Sequence, residues 1–209
     1  ELGARYLFIT DSALNTDYDH SLAVARAFRR RRVTIPWGAF LAPTRPPKGY
    51  YETLAEAGLT HAEFGTESLC DPQLKRYGKP FGVEDVFAAH QSARRARVHI
   101  AHYLLLGGPG EDARTLEETM NRAEELDKAV LFAFCCIRIF PHTPLYEIAL
   151  EEGQIGPDQC LLSPVFYRSK GITTEEITAR VKKQADGRMN WVCGGGGDQT
   201  QKVVSRMHA

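Results

Sequence analysis

His99-Ile-Ala-His-Tyr-Leu-Leu-Leu-Gly-Gly-Pro-Gly110 is the stretch that decides the fold. Its first part, His99–Leu106, reads as a strand, and the Gly-Gly-Pro-Gly run ends that strand in a turn. A helical stretch follows to about Leu126, with Thr115-x-x-Glu118 as a capping-box candidate inside its first turn. The next strand candidate, Val130–Ile139, is nearly continuous in apolar residues, which suits a parallel strand buried on both faces. Strand, helix, strand is a crossover unit, and crossovers build parallel sheets.

The same alternation extends both ways. Upstream, Tyr6–Thr10 reads as a strand, about Asp19 to Arg31 as a helix, and Thr34–Phe40 as a second strand. Gly49–Ala57 is helical behind Pro46 and Pro47, and His61–Gly65 is the third strand. Asp71-Pro72 carries the cap and first-turn chemistry of a short helix, and Val83–Arg94 is a longer one. Downstream, Pro141 and Pro144 interrupt the apolar run, and Thr143–Glu152 looks helical. Five strand–helix units at a spacing of roughly 30 residues make an α/β fold with a parallel sheet and right-handed crossovers. An open doubly wound sheet and a curved, partial TIM-like barrel both fit this pattern.

From about Gly156 the pattern changes. Thr173-Thr-Glu-Glu176 opens an amphipathic helix to about Ala185, and Cys193-Gly-Gly-Gly-Gly-Asp198 reads as a loop without periodicity. The expected organisation is therefore a sheet domain over 1–156 and a helical, irregular appendage over 157–209.

The composition excludes several classes. With 43% hydrophobic and 25% charged residues, the chain is an ordinary globular protein. Its 26 basic and 26 acidic residues cancel, so no global field indicates nucleic acid. The run Arg29–Arg32 falls at a helix end, where cations complement the dipole. No apolar stretch is long enough for a membrane span. The five cysteines, Cys70, Cys135, Cys136, Cys160 and Cys193, show no disulfide spacing and no CxxC, so a cytoplasmic location is expected. Cys135 and Cys136 are adjacent on the fifth predicted strand, so they should point to opposite faces. The chain opens on Glu1 rather than Met, which leads us to expect a longer gene product.

Parallel α/β folds bind ligands at the carboxyl ends of their strands. In chain order those ends carry Thr10-Asp11-Ser12, Ala42-Pro43-Thr44-Arg45, Gly65-Thr66-Glu67-Ser68, Gly107-Gly108-Pro109-Gly110-Glu111 and Phe140-Pro141-His142-Thr143. Glycines let a backbone approach a flat ligand, and a carboxylate such as Glu67 can accept two hydrogen bonds, as from a ribose diol. Each motif alone could be a tight turn; their joint order is the signal. Neither GxGxxG nor a Walker loop is present, which argues against dinucleotide and nucleoside triphosphate sites.

At these residues the sequence resembles the radical SAM enzymes, particularly the cobalamin-binding type. Tyr6–Asn15 resembles their second barrel strand, and His61–Ser68 with Leu74 and Gly78-Lys79 resembles the fourth-strand segment. Leu104–Glu111 is similar to the fifth, and Arg138–Tyr146 to the sixth, with a PGTPlY-like end. The resemblance covers about residues 5–155 and implies a partial (β/α)6 barrel, cut before its first strand, with S-adenosylmethionine (SAM) laid across the strand ends. It places Thr10, Asp11 and Ser12 near the methionine amino group, Glu67 at the ribose and Lys79 at the methionine carboxylate, with Ser68 also among the cofactor-binding residues. Leu106, Gly107, Gly108, Ile139 and Phe140 would flank the adenine.

The same resemblance implies a [4Fe-4S] cluster held by a CxxxCxxC loop upstream of Glu1, so the metal ligands would lie outside this chain. The parent enzyme would cleave SAM reductively to a 5′-deoxyadenosyl radical, or methylate with cobalamin, acting on a small-molecule or otherwise unknown substrate. The chain alone would be inactive and would partner the missing N-terminal part. Two features depart from the family pattern: His142 stands where a glycine is usual, and the second strand ends in apolar Leu41-Ala42-Pro43. The missing cysteines motivate a rival reading, a non-catalytic barrel remnant serving as a binding or interaction module. A lyase or aldolase of the TIM-barrel type would need a lysine or metal cluster at a strand end, whereas Lys79 follows a helix.

Overall fold

The computed structural model describes residues 3–194. The strands are β1 (Leu7–Ile9), β2 (Trp37–Leu41), β3 (Leu59–Glu67), β4 (His99–Leu105), β5 (Ala129–Phe134) and β6 (Trp191–Cys193). The helices are α1 (Tyr18–Arg30), α2 (Tyr50–Glu56), α3 (Asp71–Arg76), α4 (Val83–Arg95), α5 (Ala113–Ala123), α6 (Pro144–Glu151) and α7 (Thr174–Ala185). All strand pairs are parallel, and the sheet order is the chain order, β1 to β6, with β1 and β6 as open edges.

That order separates the two architectures the periodicity left open. A doubly wound sheet reverses its strand order at a switch point. Here every crossover steps in the same direction, so crossovers of one hand place all helices on one face, as in a barrel. The core agrees. Trp37, Ala39, Leu41, Ala62 and Phe64 pack with the helix residues Ala25, Tyr50, Tyr51, Leu54 and Ala89. Leu104, Leu131 and Ala133 pack with Leu116, Met120, Ile177 and Val181. The opposite face holds a cluster of strand residues alone, Ala101, Phe132 and Val192, with Tyr103, Val130 and Phe134 against it. There Tyr103 stacks on Phe132 at 4.7 Å between ring centroids, and its hydroxyl donates to Glu63 Oε2 at 2.7 Å.

Three expectations need correction. The fifth strand stops at Phe134 rather than Ile139, so Cys135 and Cys136 sit in a bend beyond it, not on a strand. The reason is a competing partner: Ile139 N–H donates to Val165 O at 2.8 Å and Tyr167 N–H to Ile137 O at 2.9 Å, which pulls the segment off the sheet into an antiparallel bridge. The sheet also has a sixth strand, supplied by the 157–209 segment, whose sequence suggests only a helix and irregular structure. Finally, the capping box of α5 is Asp112 with Thr115, not Thr115 with Glu118. Asp112 Oδ1 accepts from Thr115 N at 2.8 Å, and Asp112 N donates to Thr115 Oγ1 at 3.0 Å.

The Thr173–Glu176 box of α7 forms as expected. Of the glycine run after Cys193, only Gly194 is among the described residues. No helix among those residues is long and apolar enough to cross a membrane.

Candidate functional site at the carboxyl edge of the sheet

The end of β3 is a strained point of this edge. Glu67 has φ +65°, and across it Ser68 N–H donates to Thr66 O at 2.7 Å. This is a γ-turn of the rare positive-φ kind. Non-glycine residues in this region cost about 1–3 kcal/mol and persist only where neighbours impose them. The neighbours do so here. Thr66 is fully buried and hydrogen-bonded to His102 Nδ1 at 2.7 Å. Ser68 is fully buried on Thr119 Oγ1 at 2.9 Å and accepts from Cys70 N at 3.2 Å. The register shifts as well: Phe64 pairs with His102 and Glu67 with Leu104, three steps on β3 against two on β4, which is a bulge.

Lys79 reaches this carboxylate through the exit of α3. Gly78, at φ +67°, ends the helix, and Lys79 N–H donates back to Leu74 O at 3.0 Å. That is the Schellman closure, which favours glycine at the turn. It returns the chain over the end of β3 and sets Lys79 Nζ 2.9 Å from Glu67 Oε1, with 28% and 15% of the two side chains exposed.

The loop after β4 forms the next wall. Glu111 is fully buried and its Oε2 accepts from Gly107 N at 2.6 Å, while Oε1 has no hydrogen-bond partner. Burial pushes this carboxyl above the usual range, and the Gly107 and Gly108 amides pull the other way. Tyr77 donates to Leu105 O at 3.1 Å, and burial drives its phenol upward. Its ring lies so close that a Cβ on Gly108 would be 2.4 Å from it. A side chain at 108 would therefore force the Tyr77 ring aside.

Between these walls lies a cavity of about 230 Å3, lined among others by Glu67, Tyr77, Lys79, Leu105, Ile137 and Leu145. It offers one carboxylate, the cations Lys79 and Arg76, and apolar sides. Such a set can accept hydrogen bonds from a diol, hold an anion and cover a flat ring. A larger hollow of about 660 Å3 lies at the opposite edge, among Arg94, Arg95, Arg97, His99 and Lys128. That edge holds the amino ends of the strands, where α/β folds do not place ligands, so the smaller cavity is the candidate.

The sequence-predicted residues distribute unevenly. Glu67 and Lys79 are brought together. Thr10, Asp11 and Ser12 are exposed beyond β1, with Ser12 N–H bonded to Asp11 Oδ1 at 2.8 Å. Ser68 is turned inward, as described. Leu106, Gly107 and Gly108 are buried, and the open side of Gly108 faces Tyr77. Ile139 is buried with Ala149, Ile155, Leu161 and Tyr167, while Phe140 is 51% exposed under the guanidinium of Arg138.

His142 has φ +60°, the conformation a glycine adopts without cost. Arg76, Tyr77, Leu105 and Ile137 were missed as wall residues, although Tyr77 adjoins the Gly78-Lys79 motif that was read. In the sequence Asn15 stands out only as the end of the Tyr6–Asn15 segment. It is buried and staples the loop after β1 to β2, donating to Ala42 O at 2.7 Å and accepting from Ala42 N at 2.8 Å. Among the described residues no group of three or more His, Cys, Asp or Glu side chains is arranged to hold a metal ion.

Comparison with known proteins agrees with the fold. The family model of the radical SAM superfamily matches residues 1–123. The heme chaperone HemW of Bacillus subtilis is 29% identical over 103 residues, 49% of this chain and 27% of that protein. An uncharacterized methyltransferase, PH0819, of Pyrococcus horikoshii is 21% identical over 188 residues, 88% of this chain and 40% of that protein. Among solved structures, the radical SAM methyltransferase TsrM from Kitasatospora setae, with cobalamin and a [4Fe-4S] cluster bound, superposes with a TM-score of 0.78. That match has 17% identity and covers 91% of this chain and 46% of TsrM, so it speaks for the fold. The chain spans less than half the length of each of these proteins. The matched family model, with more than half of the chain under it, establishes that the chain belongs to the radical SAM superfamily.

Proposed function

We propose that this chain provides the S-adenosylmethionine cradle of a radical SAM enzyme acting on a small molecule. The observation that carries the reading is Glu67, held in a strained γ-turn beside Lys79 at the mouth of a cavity. Strain imposed by buried neighbours on a largely buried carboxylate that still lines a cavity is characteristic of a ligand site rather than of packing.

The donor set fits the cofactor in part. Glu67 presents a carboxylate for the ribose hydroxyls, and Lys79, already paired with it, steadies that carboxylate and offers an ammonium to the methionine carboxylate. Leu105, Ile137 and Leu145 supply apolar cover and exclude water. The cavity, at about 230 Å3, is smaller than the roughly 300–1,000 Å3 of small-molecule pockets. It therefore suits the nucleoside portion, with the methionine end outside. When bound, SAM would supply the radical or methyl chemistry; this chain's residues bind, orient and shield it.

The described residues do not fit an iron–sulfur cluster, so in this reading its ligands come from elsewhere and the chain alone is inactive. TsrM is a cobalamin-bound relative in fold, which makes cobalamin an optional second cofactor here. The test is to express the whole gene product, reconstitute it with iron and sulfide, reduce it and assay SAM cleavage. Cleavage that falls in Glu67→Gln supports the reading. A product that folds and does not cleave SAM favours the interaction-module alternative.

A further inference from the structure

A chain of buried polar groups crosses the interior from the Glu67 turn to the far edge of the sheet. Thr66 Oγ1 lies 2.7 Å from His102 Nδ1, and His102 Nε2 lies 3.0 Å from His90 Nδ1. His90 Nε2 stands 3.6 Å from Asp127 Oδ1, in the loop before β5. Thr66 and His102 are fully buried, His90 is 1% exposed, and the Asp127 side chain is 51% exposed. Asp127 also accepts from Arg94 Nη1 at 2.8 Å. His90 Nε2 is the one imidazole nitrogen of the pair without a hydrogen bond.

Proton bookkeeping gives this chain a direction. Burial lowers the His90 imidazole, with Asp127 pulling the other way, and lowers His102 well below its ordinary value, which favours neutral rings with one N–H each. A bare Nε2 lone pair on His90 would face the Asp127 carboxylate, and the two would repel. The proton of His90 therefore sits on Nε2. Its Nδ1 must then accept, so His102 donates from Nε2. His102 Nδ1 must accept in turn, so the Thr66 hydroxyl is the donor. All three protons point toward Asp127.

We infer that Asp127, His90 and His102 are positioning residues for Glu67: the surface carboxylate sets the proton polarity of a buried relay that anchors Thr66 and so holds the strained turn. The inference rests on the reading of Glu67 as the ribose-binding carboxylate. The Thr66 hydroxyl bonds to His102, and the turn's own hydrogen bond uses Thr66 O instead. Releasing Thr66 would let Glu67 relax to an extended conformation, away from Lys79.

Two measurements on the 209-residue chain test this. In the first, imidazole nitrogen NMR assigns tautomers. The wild type should show His90 and His102 both as the Nε2–H form. Asp127→Lys, a donor at an exposed position, should switch both to Nδ1–H, and Asp127→Ala should leave a mixture. Nδ1–H forms in the wild type, or tautomers indifferent to residue 127, would overturn the relay.

In the second, backbone NMR follows a titration with adenosine. Glu67→Gln should weaken binding about tenfold or more, the scale of a hydrogen bond to a charged group. Thr66→Val should weaken it by the same factor, and the double variant by no more than either alone. If Glu67→Gln weakens binding and Thr66→Val does not, the positioning role is wrong. If Glu67→Gln leaves adenosine binding unchanged, the ribose assignment fails, and the tautomer result alone decides the relay.

Discussion

Replacing Glu67 by glycine and by alanine should invert the usual order of stability. At ordinary sites alanine is more stable than glycine by about 0.5–1 kcal/mol, because glycine loses more backbone freedom on folding. At position 67 the backbone has φ +65° and is pinned by Thr66 inside on His102 and Ser68 inside on Thr119. A side chain there costs roughly 1–2 kcal/mol that glycine avoids. Both variants lose the carboxylate and its contact with Lys79 equally, so the difference between them isolates the backbone. Subtracting the flexibility cost from the strain, at the middle of each range, leaves glycine ahead by about 0.75 kcal/mol. For a chain of this size, 1 kcal/mol corresponds to roughly 2–4 °C in Tm. Urea unfolding of both variants, followed by far-UV circular dichroism, measures it. Alanine as stable as glycine, or more so, would mean that the turn is not strained or relaxes freely, and the argument from strain to site would fail.

Three further outcomes follow from the same edge. His142→Gly should raise stability by about 0.75 kcal/mol, the left-handed strain relieved at φ +60° less the flexibility that glycine adds; urea midpoints check it. Gly108→Ala should destabilise by roughly 1–3 kcal/mol, since its Cβ would meet the Tyr77 ring at 2.4 Å. Pairing it with Tyr77→Leu should recover part of that loss, and a Gly108→Ala midpoint equal to wild type would show that the ring moves aside at no cost. Glu111 has a carboxyl raised by burial, so its protonated form is favoured in the fold. Its contribution is therefore fully present below the unfolded-state pKa and is lost as pH rises through the raised folded value. The stability of Glu111→Gln relative to wild type should thus climb with pH across that window. A difference independent of pH would contradict the buried, raised carboxyl.

What could be read from the sequence follows the reach of each signal. The alternation of strands and helices is written in local periodicity, and β1 to β4 and α1 to α6 appear where that pattern places them. β6 is three residues long, too short to carry a period, and only its pairing with β5 makes it a strand. The early end of β5 depends on a partner at Val165–Tyr167, nearly thirty residues away, which no local pattern announces. Within the site, Glu67, Gly78 and Lys79 were legible because they form a compact motif. The γ-turn was not, because it results from two buried anchors, His102 on β4 and Thr119 on α5. His90 and His102 are separated by a helix end and a turn, so their contact exists only in the folded chain. The shift from Thr115–Glu118 to Asp112–Thr115 as the cap of α5 is of the ordinary boundary kind, where two polar residues compete to start one helix.

We propose that S-adenosylmethionine binds in the carboxyl-edge cavity lined by Glu67 and Lys79. Backbone amide NMR during titration of this chain with S-adenosylmethionine tests it most directly. Binding should be weak, about millimolar or poorer, because only a few hydrogen bonds of about 0.5–1.5 kcal/mol each offset at least about 4 kcal/mol of lost freedom. The shifts should concentrate at residues 65–68, 77–79, 105–110 and 143–148 around the cavity, and should fade in Glu67→Gln. Shifts concentrated instead around Arg94, Arg97 and Lys128, or binding untouched by Glu67→Gln, would contradict the account.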